Sequence, residues 1–145
     1  MRYLDTPLKN DICKNGIVSF ELAKNIDNSN NILNSWDNHA KQSAKYSLYF
    51  DFFFFINYAI FIALLLYKTR YKIKKGFIYL IFIAASFDVL ENTALLNLVY
   101  GNSNKIWSAL AYYFASIKFS LIILCLMYLI FNGFILFYKK IKINR

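Results

Sequence analysis

The sequence predicts an all-α membrane protein: three transmembrane helices preceded by an amphipathic helical N-terminal arm. Three observations predict it. The 145 residues are 59% hydrophobic and 20% aromatic with a mean hydropathy of +0.38, too apolar for a water-soluble domain of this size. Three segments, 46–67, 77–100 and 107–138, reach the ~20 apolar residues that a helix needs to cross a bilayer core. Ahead of them, residues 1–45 are polar but carry apolar side chains at helical spacing.

In that arm six basic and five acidic side chains nearly cancel. Val18, Leu22, Ile26, Leu33, Trp36, Ala40 and Ala44 recur at intervals of three, four and seven, the stripe of an amphipathic helix. The stretch "DNSNN" (27–31) interrupts the stripe. Two short helices are therefore expected, about 17–24 and 29–36, lying at the membrane surface or capping the bundle. Trp36 suits the headgroup region.

The first span, 46–67, holds Asp51 near its head, at the start of the aromatic block "DFFFFINYAIF" (51–61), which reads as a face toward lipid or neighbouring helices and not as a cofactor box. A basic loop, "KTRYKIKK" (68–75), leads to the second span. That span contains "SFDVLENTALL" (86–96), in which Asp88 and Glu91 stand three residues apart. After "GNSNK" (101–105), the third span, 107–138, carries Lys118. At 32 residues it exceeds one crossing, so it tilts, extends beyond the bilayer or breaks at Asn132 and Gly133. Tyr46, Tyr49, Tyr67, Tyr100, Trp107 and Tyr138 fall at span ends as an aromatic belt.

The net charge of +9 raises nucleic acid as a partner, but its distribution argues against one. Of 17 Lys and Arg, five lie in residues 68–75 and four in the tail "KKIKINR" (139–145). Positive charge beside span ends sets topology and favours anionic headgroups. Both basic segments belong on the cytoplasmic side, which puts the N-terminus outside and leaves residues 139–145 as a basic cytoplasmic tail. No signal peptide is visible, so the first span is expected to insert and stay. Cys13 and Cys125 are too differently placed to pair, and His39 has neither a Cys nor a second His nearby, so no metal site and no cofactor are expected.

Ionisable residues within a membrane cost several kcal/mol unless paired, protonated or near water, so Asp51, Asp88, Glu91 and Lys118 are candidates for function. At a rise of ~1.5 Å per residue, Glu91 and Asp88 lie roughly 13 and 18 Å below Tyr100, Lys118 roughly 16 Å below Trp107, and Asp51 roughly 7 Å from the same surface. The first three can meet. Asp88 or Glu91 is expected to pair with Lys118, leaving the other carboxylate protonated or in reach of water. Asn92 and Leu95 continue the face of Asp88 and Glu91. Small residues at similar depth, including Ala84, Ala85, Ala111 and Ala115, permit close packing, so the cluster also reads as glue between helices.

The stretches "NGIVSFELA" (15–23), "ILNSW" (32–36), "LYFDFFFFINYA" (48–59) and "FDVLENTALL" (87–96), with Lys118 and Phe119 following, resemble an uncharacterised family of small bacterial multi-pass membrane proteins. The resemblance covers about residues 15–120 and lies in the order of the motifs. It implies a helical membrane fold, a bacterial inner-membrane location and a family pattern at Asp51, Asp88, Glu91, Asn92 and Lys118. It implies no catalytic role.

Function is open between three readings. The first is a non-enzymatic binding or interaction component whose partners are the lipid bilayer and itself or another membrane protein. The second is binding or translocation of a proton, a cation or a small ligand at the polar cluster. The weakest is a lipid-modifying membrane enzyme with Asp88 or Glu91 as acid or base, since no nucleophile stands beside a base.

Overall fold

The apolar periodicity of the three spans becomes three long helices laid side by side. The computed structural model describes residues 2–69 and 72–143, with side chains over 4–69 and 72–135. α4 (Asn38–Tyr67), α5 (Lys74–Val99) and α6 (Lys105–Ile143) are each long and apolar enough to cross a bilayer. Ahead of them stand α1 (Arg2–Asp5), a 3₁₀ turn at Thr6–Leu8, α2 (Ile17–Glu21) and α3 (Ile26–Ser35). The chain is helical, with no strand among the described residues.

α5 is the middle helix: α4 and α6 each pack along it and scarcely touch one another. Small side chains make this close approach possible, with Ala84, Ala94 and Ala115 fully buried. Two apolar clusters result. At one end Ala59, Ile62, Leu66, Ile81, Ala85 and Cys125 pack together, and Phe77 stacks on Tyr128 at 4.1 Å. At the other end Leu48, Leu95, Leu98 and Ala111 pack against the arm. Asp51, Asp88, Glu91 and Lys118 fall between these two clusters.

The connections have local causes. α4 starts where the Asp37 carboxylate accepts the Ala40 N–H at 2.6 Å. At its other end Lys74 donates to the Tyr67 and Thr69 carbonyls at 2.7 and 3.0 Å. The turn after α5 is made by Gly101, whose positive φ of 93° lets Gly101 and Asn102 donate back to Leu98 and Asn97.

Several sequence expectations shift. α4 begins eight residues before the expected residue 46 and runs unbroken through residue 45, so arm and bundle share a helix. α5 begins at Lys74 and ends at Val99, and α6 begins at Lys105. α6 does not break at Asn132, whose amide donates to the Tyr128 carbonyl at 2.8 Å within a continuous helix. In the arm the interruption lies at Leu22–Asn25, where Lys24 takes a φ of 51°, and "DNSNN" is inside α3. The reason is Asn25, whose side chain accepts the Asn28 N–H at 2.9 Å and caps α3 there.

The arm folds onto the end of the bundle that holds the α5–α6 turn. Ser29 meets Ser108 at 2.8 Å, fixing α3 against the start of α6. Trp36 is 3% exposed, not a headgroup-facing residue. Its indole donates to the Leu8 carbonyl at 3.0 Å and its ring meets Phe20 edge-on at 5.2 Å. The buried face of α2 is Phe20 and Glu21, whereas Val18 and Leu22 are exposed. Burying a side chain such as Phe20 is worth roughly 1.5–3 kcal/mol, enough to set the rotation of so short a helix and to turn Glu21 inward with it. The aromatic belt is exposed at Tyr46, Tyr49, Tyr67 and Tyr100. The side chain of Tyr138 lies outside the described residues, as do those of the basic tail 139–145.

Candidate functional site

Because α4 and α6 diverge around α5, they leave a groove, and the arm roofs one end of it. The groove holds a cavity of about 510 Å³, a size within the roughly 300–1,000 Å³ of small-molecule sites. One wall is a stripe on α4 at successive spacings of four, three, four and four: Ser47, Asp51, Phe54, Tyr58 and Ile62. Lys118, Phe119 and Ile122 of α6 form the opposite wall, Asp88 of α5 the floor, and Glu21 of α2 the roof.

Lys118 is the centre of charge. It is 6% exposed, with its ammonium 3.1 Å from Asp88 Oδ1 and 2.6 Å from Glu91 Oε2. The expectation that one carboxylate pairs and the other is left aside is corrected, since both contact the same ammonium. The reason is the three-residue spacing, which puts both acids on the face of α5 toward α6. The two contacts differ. Lys118 donates a hydrogen bond to Asp88, which also accepts from the Tyr58 hydroxyl at 2.8 Å. The Glu91 contact is close but not aligned as a hydrogen bond, and both Glu91 oxygens lack such a partner among the described residues. Asn92 is buried beside it with its amide nitrogen unpartnered. Glu91 and Asn92 lie behind the cavity, not on its surface.

Asp51, Asp88 and Lys118 line one cavity, so the structure brings these three candidates together directly. Asp51 is half-buried and makes no hydrogen bond or ion pair among the described residues.

Sequence reasoning missed Glu21 and Tyr58. Glu21 belongs to the motif "GIVSFELA" but reads there as one of five arm acids. Here it is 6% exposed, faces the cavity and makes no hydrogen bond or ion pair among the described residues. Burial pushes its carboxyl above the usual range; the Lys118 charge pulls the other way, and Asp88 and Asp5 reinforce the rise. A short amphipathic helix with an acid next to its largest apolar residue was the available signal. Tyr58 carried one too, lying seven residues from Asp51 on the same face.

Asp5 holds the roof in place. It accepts the Ile17 N–H at 3.0 Å and pairs with Lys9 at 3.0 Å. Gly16 makes this approach possible: its φ is 59°, and a Cβ there would collide with the Asp5 carboxylate. Among the described residues no three His, Cys, Asp or Glu side chains cluster closely enough to hold a metal ion.

The arrangement can hold a small molecule between an acidic, roofed end and apolar walls. Compared with protein-family models, with curated proteins and with solved structures, the chain matches none.

Proposed function

We propose that this is an integral membrane binding protein whose cavity between α4 and α6 receives a small ligand from the bilayer. The carrying observation is Glu21, a carboxylate 6% exposed, without a hydrogen bond or ion pair among the described residues, which lines a cavity of about 510 Å³. Polar groups that only glue helices together satisfy one another. Lys118 and Asp88 do that; Glu21 and Asp51 do not. Val18 and Phe54 of its lining are exposed, which gives a ligand in the bilayer access to it.

The orientation fitting this reading puts the arm and the N-terminus outside and the 68–73 connection and C-terminal tail in the cytoplasm, following the excess of Lys and Arg there. A bacterial inner membrane goes with the proposed kinship to the small multi-pass family. That kinship rests on the order of the quoted motifs, which include Glu21, Asp51, Asp88, Glu91 and Asn92.

The test is native mass spectrometry of the protein released from bilayer nanodiscs. The wild type is expected to retain a lipophilic adduct that Val18→Trp, placed at the exposed cavity mouth, excludes. Equal adduct occupancy in the two proteins would overturn the reading.

A further inference from the structure

The chemistry of the cavity selects among ligands, if the cavity is a binding site as argued above. Among the described residues four carboxylates line it, those of Asp5, Glu21, Asp51 and Asp88, against one ammonium, that of Lys118. Lys118 is spent on Asp88 and Glu91, and Asp5 on Lys9 and the Ile17 N–H. Glu21 and Asp51 are left over. An uncompensated carboxylate out of water is costly, and the cost falls when a cation arrives with it.

The rest of the lining says what kind of cation fits. Phe54, Phe119, Ile62 and Ile122 give the cavity predominantly apolar walls, which a hydrated metal ion does not complement. Phe54 and Tyr58 lie with ring centroids 5.9 Å apart, and Lys118 already sits over the Phe119 ring at 4.7 Å. Aromatic faces attract ammonium groups, quaternary ones included. An anionic headgroup would meet the unpaired acids with Lys118 unavailable to it.

We propose that the cavity takes a lipophilic amine, a molecule with one ammonium head held between Glu21 and Asp51 and a hydrocarbon tail lying along Phe54, Phe119 and Ile122. Glu21 confers the selectivity because it is the buried acid of the lining without a partner among the described residues. Asp51, less buried than Glu21, meets the head as it enters.

The test is saturable binding to the full chain in nanodiscs, using probes of one tail length: dodecyltrimethylammonium, dodecanol and dodecanoate, with tetramethylammonium as a head without a tail. The ammonium amphiphile is expected to bind at least tenfold more tightly than the alcohol, dodecanoate and tetramethylammonium not to compete, and Glu21→Gln and Asp51→Asn each to weaken the amine at least tenfold while leaving the alcohol unchanged. Asp51→Asn keeps the test decisive should Glu21→Gln fail to fold, since Asp51 is half-buried. Amine and alcohol binding alike, with both lost in Val18→Trp, would overturn the amine while sparing the cavity as a site. Preference for dodecanoate would transfer recognition to Lys118, and equal competition by tetramethylammonium would leave a small-cation site; either sinks the proposal. Absence of saturable binding by every probe also sinks it, and adduct retention then decides separately whether the cavity binds anything else.

Discussion

Replacing Lys118 by Met should be the most damaging single change in the spans, and the damage should be reversed by removing charges, not by adding contacts. The ammonium lies 3.1 Å from Asp88 and 2.6 Å from Glu91. In an effective dielectric of ~20 these distances correspond to attractions of roughly 5 and 6 kcal/mol, opposed by a desolvation penalty of several kcal/mol for each of the three ions. The pairing itself is thus close to balanced, but removing one partner strands the others. Lys118→Met leaves two buried carboxylates, Asp88 with only the Tyr58 hydroxyl and Glu91 with no donor among the described residues, and should cost about 3–5 kcal/mol. Glu91→Gln leaves Lys118 its hydrogen bond to Asp88 and should cost about 1–3 kcal/mol. The triple variant Asp88→Asn, Glu91→Gln, Lys118→Met should be more stable than Lys118→Met alone by 2 kcal/mol or so, because no charge is left without a counterion. The assay is reversible unfolding in mixed micelles, with circular dichroism as readout. Costs that simply add, with the triple variant the least stable of all, would refute the account of a single coupled cluster.

Other expectations address the arm. Glu21 has a raised carboxyl pKa, so the stability contributed by its protonated form is fully present below the ordinary carboxylate range and lost as pH rises through the raised value. Glu21→Gln should therefore gain on the wild type as pH rises across that window, by at most about 1.4 kcal/mol per pH unit, in a melting series; a gain independent of pH would assign the effect to packing. Cys13 is fully buried, its thiol donates to the Gly16 carbonyl at 3.0 Å, and burial pushes its pKa up. In a Cys125→Ala background, maleimide should modify it at least a hundredfold more slowly in the native protein than in the denatured one, and equal rates would show an undocked arm. Gly16→Ala adds a side chain at positive φ against the Asp5 carboxylate and should lower stability by about 1–3 kcal/mol while exposing Cys13 to the same reagent.

The spans were legible because twenty-residue apolar runs have few alternative structures, and their polar residues could be matched by depth alone. Depth matching brought Asp88, Glu91 and Lys118 together since one helical rise serves both antiparallel helices. It failed at Glu91, where a distance along the axis says nothing about whether an ammonium is shared. The arm was harder. Its stripe placed Ile26, Ala40 and Ala44 on the buried side and assigned Trp36, which is buried too, to the headgroup region, but α2 is only five residues long, too short for periodicity to fix its phase. Phe20 fixes it through Trp36, a contact between residues sixteen apart that the stripe cannot register. Glu21 was lost with the phase. Nothing in the order of residues 17–21 says that this acid faces a cavity lined by Lys118 of the last helix.

Three helices in a row cannot enclose a polar layer, because the groove between the outer two would present Asp51, Asp88 and Lys118 to lipid. A fourth wall is needed over that layer, and α2 supplies part of it. An arm serving only as a wall would be better with a cation at position 21: the cavity already has more carboxylates than ammonium groups, and Glu21 adds another. The substitution Glu21→Lys separates enclosure from recognition. It should raise the stability of the ligand-free protein by about 0.5–2 kcal/mol, in the manner of changes that relieve a site kept imperfect for function, and abolish binding of the ammonium amphiphile by supplying its charge internally. A protein made more stable and still able to bind the amine would show that Glu21 is not the residue that recognises it. A protein made less stable would mean that the excess of acids is illusory, with Glu21 already balanced within the fold.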